Sequence, residues 1–242
     1  MTAQLNPRGD VAVLIPAGGA GVRLGPGRPK ALRLLAGEPL LVHAVRRVAA
    51  APSVRAIVVA APAAEVPAAR ELLAPVADGV IVVAGGATRQ ESVAAALAAA
   101  PSGPEIVLVH DAARPLTPTT LIESVAGAVR AGCDAVIPVL PVVDTVKEVS
   151  SDGVVLGTVD RSALRAVQTP QGFRRTVLAA AHAAAVDPLT DDAGLVEKQG
   201  VRVHCVPGSE YALKITRPFD LRIAEHLLAA PDAGAGGVPY PA

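Results

Sequence analysis

Between Pro16 and Gly37 the sequence sets Arg23, Arg28, Lys30 and Arg33 among closely spaced glycines, without one Asp or Glu. Gly18, Gly19 and Gly21 let the backbone turn tightly and present N–H groups to an anion. Arginine adds a planar fork for phosphate oxygens, and lysine a mobile point charge. Such a segment reads as a polyphosphate cradle, against the plainer alternative of a solvated glycine loop with incidental charges. The spacing Gly19-x-Gly21-x-x-x-Gly25 misses the dinucleotide fingerprint by one position. The next strand-like run ends Val59-Ala60-Ala61, with no acid to hold a ribose. No Gly-Lys-Ser/Thr follows, so a P-loop is excluded. Pro26 and Pro29 keep a helix from starting directly after the glycines.

Two further segments hold residues that could do chemistry. Gly85-Gly86-Ala87-Thr88-Arg89-Gln90-Glu91-Ser92 lies between a strand pattern and a helix pattern. There Thr88 with Glu91 three residues on is a capping box. Asp111 follows an apolar run in His110-Asp111-Ala112-Ala113-Arg114-Pro115. It could meet a cation or substrate hydroxyls, bond its own turn, or pair with Arg114. The five histidines show no ligand spacing, and Cys133 and Cys205 are isolated, so neither a zinc site nor a disulfide framework is indicated. No nucleophile–base triad is recognisable.

The elements that must position these residues follow from apolar periodicity. Val11–Ile15, Val54–Ala60, Val80–Ala84, Ile106–His110 and Ala135–Val139 are short, nearly continuous apolar runs, as parallel strands covered on both faces require. Between them lie helical segments at Leu40–Ala51, Glu65–Ala74, Gln90–Ala100 and Pro118–Ala131. Repeated βαβ units imply a Rossmann-like doubly wound α/β sheet, mostly parallel, with ligands beyond the carboxyl ends of its strands. That rim carries Pro16–Lys30, Gly85–Ser92 and Asp111–Pro115. Beyond Val139 the alternation breaks. Asp144–Val149 and Val154–Asp160, joined by Ser150-Ser151-Asp152-Gly153, read as an extended β-hairpin arm at about 140–161. Such a hairpin either packs on a second copy of the chain or adds an antiparallel ribbon to the same sheet. From Arg174 the pattern predicts two helices, strands around Arg202–Val206 and Tyr211–Ile215, and a closing helix from Pro218. Residues 1–230 thus read as a single domain, and the Pro/Gly/Ala-rich 231–242 as a disordered tail.

Composition bounds the function. The 242 residues hold 22 Lys+Arg against 22 Asp+Glu, and zero net charge argues against nucleic-acid or membrane-surface binding. The longest apolar stretches fall far short of the ~20 residues that span a bilayer, and the N-terminus lacks a signal-peptide core. The expectation is a soluble cytoplasmic protein.

The loop PAGGAGVRLG…RPK resembles the signature of sugar-nucleotide-type nucleotidyltransferases. GGATRQESV, VHDAARP, PVVDTVKEV, VDRSALRAVQTPQGF, TDDAGLVEKQG and LKITRPFDL follow in order. From about Val11 to Glu225 the set resembles the 2-C-methyl-D-erythritol 4-phosphate cytidylyltransferase family of the non-mevalonate isoprenoid route. Ribitol-5-phosphate cytidylyltransferases share most of these motifs. The resemblance implies that the acceptor phosphate attacks the α-phosphorus of CTP directly. Mg²⁺ is expected as the ion that CTP phosphates carry, its protein ligands unassigned, and the uncovered edges of the hairpin point to a homodimer formed through the arm. The resemblance also implies that Arg23 and Lys30 stabilise charge on the triphosphate. Ala17, Gly18, Gly19 and Gly21 would contact phosphates and base, Gly86 and Ser92 the cytosine, and Asp111 the nucleotide or the acceptor. Thr145, Arg161, Thr169, Thr190 and Lys214 would hold the polyol phosphate, with Arg161 and Lys214 on the attacking phosphate. Thr190 is also a natural helix cap before Asp191-Asp192. Arg28 and Arg33 match no assigned role and read as solvated charges. Two departures stand out: Ala87 replaces an acid common in the family, and Ala212-Leu213 precede Lys214 where Asn-Ile is usual. A non-catalytic nucleotide-binding regulator is the alternative from another class. Retention of Arg161 and Lys214 at the acceptor end argues against it.

Overall fold

The computed structural model describes residues 2–19, 21–186 and 189–229. β1 (Val11–Pro16) leads through the long glycine loop to a small hairpin, β2 (Leu34–Leu35) and β3 (Glu38–Pro39). Then come α1 (Leu40–Ala49), β4 (Val54–Ala61), α2 (Val66–Leu73), β5 (Ile81–Ala84), α3 (Arg89–Ala99), β6 (Ile106–Val109), α4 (Thr119–Arg130) and β7 (Ala135–Pro141). The arm is β8 (Val146–Val149) and β9 (Val155–Val159). It is followed by β10 (Arg165–Val167), β11 (Gln171–Arg174), α5 (Arg175–Ala183), α6 (Asp192–Lys198), β12 (Val203–Pro207) and α7 (Pro218–Ala229).

Eight strands form one sheet in the order β10-β7-β11-β6-β1-β4-β5, with β12 on β7. The apolar runs become strands whose successive side chains feed opposite faces. Val11, Val13 and Ile15 pack with α1, α2 and α4, alongside Leu41, Val45, Leu73, Ile122 and Val125. Leu14, Val58 and Val107 pack on the other face against Val93 of α3, Leu178 of α5 and Val196 of α6. Both faces are therefore covered, as the continuous runs require. α7 closes a smaller cluster with Leu24, Leu40, Leu116 and Ile215.

β1 is flanked by β4 on one side and β6 on the other, both parallel to it. The winding direction reverses at the β1–β6 boundary, where an α/β sheet opens a crevice at its carboxyl rim. β11 enters antiparallel between β6 and β7. Gln171 opposes Val109 at the end of β6, so the start of β11, not its end, reaches the binding rim.

Several expectations are corrected. Tyr211–Ile215 is not a strand: Glu210–Ala212 is a single 3-10 turn and the following residues are irregular. Two carbonyl and amide contacts, Arg114 Nη1 to Ala212 O and Ile215 N to Ala113 O, tie this segment to another loop instead of to a strand ladder. The arm pairs only with itself, as a separate two-stranded sheet, and is not a ribbon on the main sheet. The side chain capping α6 is Asp191, which accepts from Gly194 N at 3.1 Å, and not Thr190. The expected disorder of 231–242 lies outside the described residues.

Candidate active site

The glycine loop after β1 is folded back on itself by local bonds. Lys30 N–H donates to Gly19 O at 3.0 Å, and Leu24 N–H to Gly21 O at 2.8 Å, while the Leu24 side chain is buried. Gly21 has φ +68, and a Cβ there would stand 2.9 Å from Lys30 Cβ, so glycine lets the two loop limbs touch. Arg33 is a brace and not a solvated charge: Nε donates to Arg28 O at 3.0 Å and Nη2 to Gly25 O. Arg28 lends this brace its carbonyl, and its own side chain is exposed.

This loop lines one wall of a cavity of about 370 Å³. Of the residues expected to bind nucleotide, Ala17, Gly18, Gly19, Lys30, Gly86, Ser92 and Asp111 all line it, as does Lys214. The opposite wall is the start of α3, where the capping box forms: Glu91 N–H donates to Thr88 Oγ1 at 3.1 Å, and Glu91 Oε2 accepts from Thr88 N at 3.2 Å. Glu91 Oε2 also accepts from Ala87 N at 2.6 Å, so these two amides are spent inside the protein. A Cβ on Gly86 would overlap Glu91 Cβ at 2.3 Å; only glycine fits against the box. Ser92 is buried, and its hydroxyl donates to Thr88 O at 2.9 Å.

Asp111 resolves among the alternatives open to it. Its carboxylate pairs with Lys214 Nζ at 2.8 Å and Arg89 Nε at 3.4 Å. Arg114 instead gives its guanidinium to the carbonyls of Ala212 and Val167, fixing the chain that carries Lys214. Burial pushes the Asp111 carboxyl up, but Arg89, Lys214 and Arg114 outweigh it and hold the group well below the usual carboxylate range. Lys30 is the converse: burial and the nearby Lys214 lower its ammonium to about 8, although Asp111 pulls the other way. Arg23 is exposed on the 3-10 turn Val22–Leu24 and is not among the residues lining this cavity, yet it stands close enough to contribute to lowering Lys30.

A second cavity of about 160 Å³ adjoins the first and is lined by Thr169 and Thr190 with Gln168, Gln171 and Asp191. Arg89, Asp111 and Lys214 line both cavities and so form the wall between them. Thr169 is buried two residues before β11, where Asp111 N–H donates to its Oγ1 at 3.0 Å. His110 Nε2 lies 3.2 Å from the Arg114 carbonyl, which can only accept, so this nitrogen carries the ring proton. Nδ1 therefore accepts from the Thr169 hydroxyl at 3.2 Å. Burial lowers His110 to about 4, so the ring stays neutral and keeps that tautomer. The Thr169 proton is already committed: its hydroxyl can accept from a ligand OH but has no proton left for a phosphate oxygen.

Thr145 and Arg161 line neither cavity. Both are exposed on the arm, where Arg161 donates to Val143 O. Sequence reasoning passed over Arg89, Asp192 and His182. Arg89 Nη1 donates to Asp192 Oδ2 at 2.6 Å, and His182 Nε2 lies 3.0 Å from Asp192 Oδ1. A cation at the first position of a helix, against its dipole, was the available signal. No cluster of three His, Cys, Asp or Glu suited to a metal occurs among the described residues.

The model of the 2-C-methyl-D-erythritol 4-phosphate cytidylyltransferase (IspD) family matches residues 11–230. An enzyme of that name from Saccharopolyspora erythraea is 56% identical over 223 residues, covering 91% of this chain and all of its own. One from Frankia casuarinae is 55% identical over 227 residues, covering 94% of this chain and 84% of its own. The crystal structure of the Thermus thermophilus enzyme of that name superposes with a TM-score of 0.72 at 38% identity, over 90% of this chain and 98% of that one.

Proposed function

We propose how the two cavities work together from the premise that the chain belongs to the 2-C-methyl-D-erythritol 4-phosphate cytidylyltransferase family. It is a nucleotidyltransferase of isoprenoid biosynthesis that takes CTP and 2-C-methyl-D-erythritol 4-phosphate to 4-diphosphocytidyl-2-C-methyl-D-erythritol and pyrophosphate. CTP occupies the larger cavity, its triphosphate along the glycine loop and its base toward Gly86 and Ser92. The acceptor occupies the smaller one. A phosphomonoester loses its second proton at a pKa of about 6, so the acceptor arrives as a dianion and needs no general base. One of its oxygens bonds to the α-phosphorus as the bond to the β-phosphate oxygen breaks, and pyrophosphate leaves with both electrons of that bond.

The work left to the protein is to hold two anions that repel each other and to neutralise charge on the five-coordinate phosphorus. Lys30 and Arg23 serve the triphosphate, and Lys214, on the common wall, serves the attacking phosphate. Thr169 accepts from a hydroxyl of the acceptor, and Thr190 lies at the far side of the same cavity. The observation that carries this reading is the shared wall of Arg89, Asp111 and Lys214, with the Lys214 ammonium lining both cavities.

Mg²⁺ suits this donor set as an ion brought by the nucleotide. It keeps several waters and takes few protein ligands, and Asp111 is the one carboxylate lining the larger cavity. Asp111 would be its protein contact, and the ion would supply countercharge to the phosphates. We also read residues 1–230 as one domain and the enzyme as cytoplasmic, in keeping with two free cysteines. The arm exposes Val149, Val154, Val155 and Leu156, and it carries Thr145 and Arg161 away from their own cavities. A homodimer in which each arm completes the partner's acceptor site accounts for both facts. The primary test is pyrophosphate release from CTP and the acceptor. Arg23→Ala and Lys30→Ala are each expected to lower kcat by about 10²–10³. Full activity in both would sink the assignment.

A further inference from the structure

Arg89 is the one member of the wall between the cavities to which the reaction as described gives no task. Its place is costly by local rules. It is the first residue of α3, after the Thr88 cap, where the helix dipole disfavours a cation. What holds it there lies far off in sequence: Asp111 at the end of β6 and Asp192 at the start of α6. Asp192 is itself almost wholly buried, with 1% of its side chain exposed. It is bonded on its other oxygen by His182 of α5, whose side chain is 6% exposed. A carboxylate only accepts, so His182 Nε2 is the donor. Asp192 is thereby fixed from two sides, and the planar fork of Arg89 spans from it to Asp111.

We propose that Arg89 is a positioning residue of the transfer reaction: anchored on Asp192, its guanidinium sets the carboxylate of Asp111 and, through it, the ammonium of Lys214 on the boundary of the two cavities. This rests on the reading of that boundary as the place where the acceptor phosphate meets CTP. Asp111 has two cationic partners, Lys214 on Oδ2 and Arg89 toward Oδ1. With Arg89 in place the carboxylate is shared. Without it, the carboxylate turns wholly to Lys214 and masks the charge that the acceptor phosphate requires. Arg89 lines the larger cavity as well as the smaller one, so some loss of CTP binding accompanies a larger loss in the acceptor and in turnover.

The experiment compares Arg89→Gln, Arg89→Lys, Asp192→Asn and the double variant Arg89→Gln/Asp192→Asn. Initial rates are measured against each substrate, and CTP binding by calorimetry. Arg89→Gln is expected to raise KM for the acceptor and lower kcat, by about 10- to 100-fold in kcat/KM, with a clearly smaller change in the CTP Kd. Arg89→Lys, which keeps the charge but not the fork, recovers part of that loss. Asp192→Asn acts in the same direction, and the double variant is no worse than Arg89→Gln, because both changes break one linkage. Unchanged steady-state constants in Arg89→Gln would overturn the proposal. So would a loss of CTP affinity equal to the loss of acceptor affinity, or additive losses in the double variant. If Arg89→Gln does not fold, Asp192→Asn read in the same way decides. Wild-type enzyme that fails to release pyrophosphate would instead refute the underlying reading of the site.

Discussion

Lys30 sits in a pH window set by its surroundings. Burial and Lys214 bring its ammonium down to about 8, and the role proposed for it on the triphosphate uses the charged form. In the free enzyme the charge is lost as pH rises through that value, whereas a bound triphosphate restores it. The profile of kcat/KM for CTP is therefore expected to fall above about pH 8, while kcat holds to higher pH. Lys30→Arg, which stays protonated, should remove that limb; parallel limbs in both profiles for wild type would count against the assignment. At this scale the sequence was informative wherever charge was locally concentrated. An acid-free glycine loop and an Asp just past a strand end are visible without coordinates, and both line the larger cavity. Arg89 was opaque because its partners lie 22 and 103 residues away. The state of Thr169 was opaque for the same reason. Its proton goes to a histidine 59 residues distant, whose tautomer is fixed by yet another carbonyl.

Elements carry the residues, and a strained turn is felt by whatever it carries. Gly21→Ala puts a methyl group into a backbone with φ +68, 2.9 Å from Lys30 Cβ and 3.1 Å from its Cα. The left-handed conformation alone costs a non-glycine residue about 1–2 kcal/mol, and relief of the contact displaces Lys30. The expected result is a KM for CTP raised about ten-fold with the acceptor KM little changed, read from initial rates. The strands that were legible were the continuous apolar runs of β1, β4, β5, β6 and β7, whose burial on both faces is written into composition. β10 and β11 were not. Arg-Ala-Val and Gln-Gly-Phe-Arg have no strong pattern; β11 is a strand because β6 and β7 leave a gap between them, and β10 because it pairs along the end of β7. Tyr211–Ile215 failed in the opposite way: its local pattern suits a strand, but Arg114 and the Ala113 carbonyl claim its backbone. The reversed direction of β11 explains how Thr169 enters the site at all, since a parallel strand would have brought its other end to that rim.

At the scale of the whole molecule the arm leaves Val149, Val154, Val155 and Leu156 exposed, and Thr145 and Arg161, proposed for the acceptor, line neither cavity of their own chain. If each arm serves its partner, Lys30→Ala and Arg161→Ala damage different halves of one shared site. Mixing the two inactive variants under exchange conditions should then return about one quarter of wild-type turnover. Half the reassorted dimers are mixed, and each has one intact site. No recovery on mixing, with dimer exchange demonstrated by sedimentation, would confine every site to a single chain. The arm was legible as a hairpin from its Ser-Ser-Asp-Gly turn, but its destination was not, because a ribbon's own residues do not say what will cover it.

The wedge of β11 also bears on how the chain comes off the ribosome. β7 finds all of its partners, β10, β11 and β12, downstream of itself, and β6 has only β1 until residue 171 emerges. A nascent chain that has just completed β7 therefore holds a half-built sheet with an unfilled slot at its middle, the kind of bare edge that recruits other chains. The same slot, once filled, brings Thr169 beside Asp111, while Thr190, Asp191 and Lys214, which line the same cavity, follow later in the chain.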